Sequence, residues 1–315
     1  MARGDSPAMR YNFRELFFGR EAAGTRKLKA AIEKLKPLPG NEHARYALPL
    51  DHPPSASMRA RWGYDRPPIE SLYSWLAARA DSYRDVLASM RGFGAELRGL
   101  PHSFDPALQP TPMWLGTAMN PIDSLALYAF IRKHRPASFV EIGSGMTTCF
   151  AHAARQRNAT TTRIVSIDPA PRAEIDAICD QAIRHGLEDC DMTIFDSLVA
   201  GDIVFMDGSH RSFMSSDVTV FFIDVLPRLR PGVIVHMHDI FLPWDYPPAF
   251  ANWYWNEQYL LAVYLMGNRE RITPLLPTFM LTEDPMFAAD IEKPFIDTDE
   301  PLPWTGGGSM WFTHR

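Results

Sequence analysis

The chain has 315 residues, 46% of them hydrophobic and 22% charged, which is ordinary for a globular protein. A net charge of -5 argues against nucleic acid as the main partner, because binding a phosphate backbone needs a positive surface. Three cysteines without a CxxC pair give neither a disulfide framework nor a zinc site, and no apolar run approaches the roughly 18 residues of a membrane span.

The N-terminus lacks the apolar core of a signal peptide, so a cytoplasmic, non-membrane protein is expected. Residues 1–68 read as an arm and an irregular segment. The arm is basic, with a short helix over Thr25–Leu35 ended by Pro37-Leu38-Pro39-Gly40. A solvated surface arm is the expectation, with packing on a second subunit left open as a route to a homo-oligomer. Residues 69–134 read as a helical extension. Leu72, Trp75, Leu76, Tyr83, Val86, Leu87 and Met90 follow helical spacing over 69–97, and Pro121 to Lys133 forms a second amphipathic stretch.

From residue 135 to 315 the pattern is that of one α/β domain. Apolar runs at Ser138–Ile142, Arg163–Ile167, Met192–Phe195, Asp202–Met206 and Val233–Met237 predict strands. Helical stretches are expected near 146–157, 172–186 and 214–228, and another over Glu257–Met266. Strands alternating with helices predict a parallel sheet, with ligand-binding loops along the carboxyl edge. Two late strands, Thr278–Thr282 and Ser309–Thr313, predict an antiparallel hairpin closing that sheet.

Phe139-Val140-Glu141-Ile142-Gly143-Ser144-Gly145 joins the first strand to a helix through a glycine-rich turn, which lets a ligand approach the backbone closely. Thr148 stands where a dinucleotide fingerprint has its third glycine, which speaks against NAD(P) and an oxidoreductase. Glu141, two residues before the turn, suits the cationic amino-acid end of S-adenosylmethionine better than a diphosphate. Asp168 ends the second strand, placed to accept ribose hydroxyls. The bland alternatives are a salt-bridge role for Glu141 and a turn role for Asp168 before Pro169.

The fourth and fifth strands end in Met206-Asp207-Gly208-Ser209-His210 and Met237-His238-Asp239. Apolar runs turning abruptly into Asp, Ser and His mark the ligand edge. An alcohol acceptor needs its proton removed, and His210, His238 and Asp239 are the catalytic candidates, with His210 and Asp239 first as bases. His236 reads as a core histidine. The aromatic, proline-rich stretch from Phe241 to Pro248 and Trp253-Tyr254-Trp255 reads as a substrate-side wall or lid, or as packing.

On Val140–Gly145, Gly201–His210, His236–Pro247 and Trp255–Leu261, the sequence resembles the class I S-adenosylmethionine-dependent methyltransferases, and within them a bacterial small-molecule or sugar methyltransferase branch. The resemblance covers roughly residues 70–266 and departs from that branch at Gly208, where a serine is expected. It implies a Rossmann-like, seven-stranded, mostly parallel sheet whose last strand runs antiparallel. It also implies cofactor contacts from Glu141, Gly143, Gly145 and Asp168, with Ser144 and Asp207 as further cofactor-binding candidates. Asp207, His238 and Asp239 correspond to a metal-binding trio in some O-methyltransferases, which would suit Mg or Mn. The expected activity is methylation of a small hydroxylated molecule, a sugar among the candidates. The alternatives are an NAD(P)-dependent oxidoreductase and a non-catalytic S-adenosylmethionine-binding module.

Overall fold

The computed structural model describes residues 59–158 and 161–315; the basic arm and the helix expected over Thr25–Leu35 lie outside the described residues. Residues Arg59–Arg315 form one unit. Helix α1 (Glu70–Ala77) and helix α2 (Ala80–Gly94) take up the first helical stretch. The helical stretch is divided at Arg79, whose φ of -113° and ψ of 14° leave the helical region. Helix α3 (Pro121–His134) begins with proline, where no N–H is missed, and ends in Arg132, Lys133 and His134, which complement the helix dipole.

The sheet then follows: β1 (Ser138–Ile142), α4 (Met146–Asn158), β2 (Arg163–Ile167), β3 (Gln181–Ile183), β4 (Ile203–Met206) and β5 (Ile234–Met237). Between β4 and β5, α5 (Asp217–Val220) continues into the wider π turn Phe221–Val225. After β5 come α6 (Glu257–Gly267), β6 (Ile272–Pro277), α7 (Thr278–Glu283) and β7 (Met310–His314). The strand order is β3-β2-β1-β4-β5-β7-β6, with β1 to β5 parallel and β7 antiparallel to both β5 and β6. This is the seven-stranded Rossmann-like sheet that the resemblance implies. One apolar core runs from Leu72 and Leu76 on α1 through the central strands to Trp311 and Phe312 on β7, so the helices before the sheet share its core.

Three expectations are corrected. The third strand is Gln181–Ile183, not Met192–Phe195, where a single helical turn, Thr193–Asp196, stands instead. The stretch 172–186 is not a helix: its spacing supports one, but Asp180 docks on β2, its N–H donating to the Ile164 carbonyl and its carboxylate accepting from the Ile164 N–H. That pairing opens β3 along β2 and overrides local propensity. The sixth strand is Ile272–Pro277, and Thr278–Glu283 is helical. Pro274 and Pro277 argue against a strand in the sequence, yet β6 is an edge strand with an irregular register between Pro274 and Leu276, where a missing N–H costs little. The late strands therefore pair antiparallel without forming a tight hairpin, since α7 and a long loop separate them.

Candidate active site

The register decides where the chemistry-bearing residues emerge. Ile142 pairs with Ile167 and Met206, and Met206 pairs with Met237. The next residue of each strand therefore leaves the sheet in one row: Gly143, Asp168, Asp207 and His238. Ladder bonds reach one step into this row, with Gly143 N–H donating to the Ile167 carbonyl at 3.0 Å, Asp207 N–H to Ile142 at 2.9 Å and His238 N–H to Met206 at 3.0 Å. Strand order reverses between β1 and β4, the place where an open sheet parts its loops and makes a crevice.

A cavity of about 670 Å³ fills that crevice, lined by Gly143, Ser144, Gly145, Asp168 and Asp207 among others. Gly143 has a φ of +78°, and a Cβ there would collide with the Asp207 carbonyl, so the turn needs glycine. Asp168 Oδ2 accepts the Ser144 N–H at 2.7 Å, and Oδ1 accepts the Ala170 N–H at 2.8 Å. Oδ2 also accepts from the Ser144 hydroxyl at 3.3 Å, so it is Oδ1 that keeps a lone pair for a ligand.

Glu141 sits below the wall. It is wholly buried and accepts hydrogen bonds from the Thr147 and Thr148 hydroxyls. Burial pushes its carboxyl up from 4.5 to about 8, against the pull of those two hydroxyls. Thr148, the residue in place of the third glycine, thus ties the first turn of α4 to β1.

Beside the cavity lies a cluster of ionisable side chains. Asp207, His238 and Asp239 bring one donor atom each within 4.8 Å of one another. His238 is buried, with Nδ1 3.6 Å from Asp207 and 3.8 Å from Asp239, and Nε2 3.8 Å from Asp123. Those are ion-pair distances, and neither ring nitrogen makes a hydrogen bond. Burial disfavours its charge, but Asp239, Asp207 and Asp123 overcome this and raise the imidazole to about 10.

His210 is similar. Nδ1 meets Glu257 at 2.5 Å, while Nε2 faces Asp239 at 3.5 Å and Asp207 at 3.7 Å. Burial lowers its affinity for a proton, but Glu257, Asp207 and Asp239 outweigh burial and raise it to about 9. For Asp207, burial opposes ionisation, yet His238, His210 and Arg172 hold its carboxyl down near 2. Burial raises Asp239. His210 and Asp239 both adopt left-handed backbone, at φ of 61° and 56°. Such strained positions, roughly 1–3 kcal/mol each, gather at functional sites.

Two residues of this cluster escape sequence reading. Asp123, on the first turn of α3, is wholly buried, and accepts from the Thr278 hydroxyl at 2.6 Å and the Gly308 N–H at 2.8 Å. Glu257 begins α6 and is likewise buried. Each looks in the sequence like an ordinary first-turn acid, and only an acid at a helix start predicted to face the sheet edge could have flagged it. His236, by contrast, packs as a core histidine: it stacks on Trp311 with centroids 3.7 Å apart, and Nε2 meets the Ser309 hydroxyl at 2.8 Å. The aromatic stretch after β5 forms its own cluster, with Phe241, Tyr246 and Phe279 buried at its centre and the Trp255 ring 4.0 Å from that of His210.

Residues 140–240, from β1 to just past β5, match the family model described as a methyltransferase domain. Over that span the chain is similar to methyltransferase domains. No curated protein matches the chain. Solved structures similar to this chain include the Podospora anserina methyltransferase PaMTH1 bound to S-adenosylhomocysteine, at 16% identity and a TM-score of 0.38, over 76% of this chain and 95% of that one. An O-methyltransferase from Bacillus cereus, also bound to S-adenosylhomocysteine, is 12% identical with a TM-score of 0.38, over 78% and 99%. TomG, an O-methyltransferase of tomaymycin synthesis from Streptomyces achromogenes bound to S-adenosylmethionine, is 16% identical with a TM-score of 0.37, over 78% and 97%. Among the described residues, no helix is long and apolar enough to cross a membrane.

Proposed function

We propose that this protein is a methyltransferase that takes its methyl group from S-adenosylmethionine and passes it to an oxygen of a small hydroxylated molecule, with a sugar among the candidates. The observation that carries the reading is the single row Gly143, Asp168, Asp207 and His238, whose first three residues line the cavity. The cavity has the volume of a small-molecule cofactor site. Its Gly143–Gly145 turn leaves the backbone open to close approach, and its acidic lining suits a ligand with two cationic centres.

When bound, the cofactor supplies an electrophilic methyl for in-line displacement. Asp168 accepts a ribose hydroxyl at Oδ1, where only the Ala170 N–H is bound, while Oδ2 is held by Ser144. Asp207, held ionised, favours the cationic end. Glu141 braces the turn from below through Thr147 and Thr148. On the acceptor side, His210, His238 and Asp239 are the catalytic candidates, with Trp255 packed on His210. At neutral pH, His210 is protonated by the acids around it and cannot take a second proton. Asp239 is therefore the better first acceptor, and His210 stabilises the charge that results.

Asp207, His238 and Asp239 also fit a divalent ion such as Mg or Mn: two carboxylates and an imidazole whose ring nitrogens both lack hydrogen-bond partners. Such an ion would lower the pKa of the acceptor hydroxyl. Thermal-shift titration with S-adenosylmethionine, S-adenosylhomocysteine, NAD and divalent ions tests the proposal. Saturation with either sulfur nucleoside is expected to stabilise the protein by a few kcal/mol. No shift with either, or a shift with NAD alone, would overturn it. Binding without methyl transfer to any hydroxylated acceptor would favour a non-catalytic binding module.

A further inference from the structure

The cavity is lopsided in charge. Four carboxylates line it, from Asp168, Glu188, Asp207 and Asp217, and among its lining residues a single side chain, Arg172, carries positive charge. Arg172 is also placed with care. It follows β2 in the loop Pro169-Ala170-Pro171, and its backbone N–H donates to the Ser144 carbonyl at 3.3 Å. Its Cβ stands 3.6 Å from where a Cβ on Gly145 would lie, so the side chain starts against the glycine-rich turn.

Its guanidinium makes no hydrogen bond or ion pair with any described residue. Other arginines nearby are committed: Arg155 pairs with Asp180, and Arg184 pairs with Asp176 while donating to the Asp168 carbonyl and the Ser166 hydroxyl. The acids at the wall are partly committed as well, since Asp217 accepts from the Ser209 and Val218 N–H groups and Asp168 from Ser144 and Ala170. Arg172, exposed at the cavity rim, acts on Asp207 only through space, so its N–H groups stay open to an anionic group at the one place in the lining where attraction for one is strongest.

We infer that Arg172 binds the carboxylate of the cofactor's amino-acid end and so sets that end beside Gly145. The inference rests on the S-adenosylmethionine reading above. A ligand with a sulfonium, an ammonium and one carboxylate matches a wall of several acids and one guanidinium. A guanidinium can hold a carboxylate by two parallel N–H···O bonds, which fixes direction as well as affinity. The same ligand on an all-acidic wall would leave its carboxylate repelled by Asp207.

Calorimetric titration of two ligands into the wild type, Arg172→Gln and Arg172→Lys separates this role from others. S-adenosylhomocysteine carries the carboxylate; 5′-methylthioadenosine has the same nucleoside without the amino-acid end. Arg172→Gln is expected to weaken S-adenosylhomocysteine by ~10- to 100-fold, as for the loss of a charge-assisted pair, and to leave methylthioadenosine within about twofold. Arg172→Lys is expected to recover part of the loss. Equal affinity of wild type and Arg172→Gln for S-adenosylhomocysteine overturns the pairing while leaving the cofactor reading intact. Equal weakening of both ligands overturns it too, because the residue then acts on the nucleoside or the loop. A wild type that binds neither ligand overturns the cofactor reading, and the pairing falls with it.

Discussion

His210 Nδ1 lies 2.5 Å from Glu257 Oε1, joining the loop after β4 to the first residue of α6 across 47 positions of sequence. The contact fixes which face of the imidazole looks at Asp207 and Asp239, because it occupies Nδ1 and leaves Nε2 toward them. It also sets a protonation state. Burial raises Glu257 to about 6, while the surrounding acids raise His210 to about 9, so the two form a charged pair between those values.

His210 is raised from 6.5 to about 9 in the fold, so its contribution to stability is complete below pH 6.5 and is lost as pH rises through 9. Glu257→Gln removes the largest favourable partner. The imidazole is then expected to titrate nearer 6.5, followed by NMR, and the fall in melting temperature between pH 6.5 and 9 to become shallower. An unchanged titration in Glu257→Gln would show that Asp207 and Asp239 hold the proton without it.

Glu141 gives a second pH signature. Its carboxyl is raised from 4.5 to about 8, so the fold binds a proton that the unfolded chain releases, and stability drops as pH rises between those values. Glu141→Gln keeps the shape and the contacts to Thr147 and Thr148 but cannot ionise. The variant is expected to lose this dependence and to equal or exceed the wild type at pH 8, with each kcal/mol worth ~2–4 °C of melting temperature. A variant that melts lower at pH 8 would mean that the ionised carboxylate is the native form.

Gly143→Ala combines a left-handed backbone with a Cβ set into the Asp207 carbonyl. Because Asp207 N–H also bonds to Ile142, the two strand ends cannot part cheaply. A loss of ~2 kcal/mol or more in unfolding free energy is expected, together with loss of S-adenosylhomocysteine binding by calorimetry. Wild-type melting and binding would show that the turn relaxes freely.

Asp168→Ala and His210→Ala are expected to divide binding from turnover. The first removes the ribose acceptor and one anchor of Ser144, so the thermal shift with S-adenosylhomocysteine is expected to vanish. The second leaves the cavity wall untouched and is expected to keep that shift while turnover falls by ~10²–10⁴-fold. Normal turnover by His210→Ala would remove it from the chemistry.

Chelation addresses the trio Asp207, His238 and Asp239. Treatment with EDTA is expected to abolish turnover and Mg or Mn to restore it, while calorimetry detects binding of Mn to the wild type and not to Asp239→Asn. EDTA-insensitive turnover would leave the trio as an ion-pair cluster around a protonated His238.

The central strands are legible because they are buried on both faces, so β1 and β2 read as continuous apolar runs whose ends coincide with Ser138–Ile142 and Arg163–Ile167. From those ends the sequence identifies Gly143, Asp168, Asp207 and His238 as residues of the ligand edge. Edge strands are less legible. Gln181–Ile183 is too short to show a period, and Ile272–Pro277 carries two prolines that only an unpaired edge tolerates.

Sequence alone therefore determined the α/β alternation, the glycine turn and the polar residues closing each strand, since these depend on neighbours a few positions away. Only the tertiary structure decided that Glu141 braces the turn from beneath, that Glu257 and Asp123 surround the histidines, and that Arg172 stands as the lone cation of the cavity wall. Asp123 meets Gly308 across 185 positions. Contacts at that separation leave no local pattern, because they arise from strand register and from which acids the packed fold forces together.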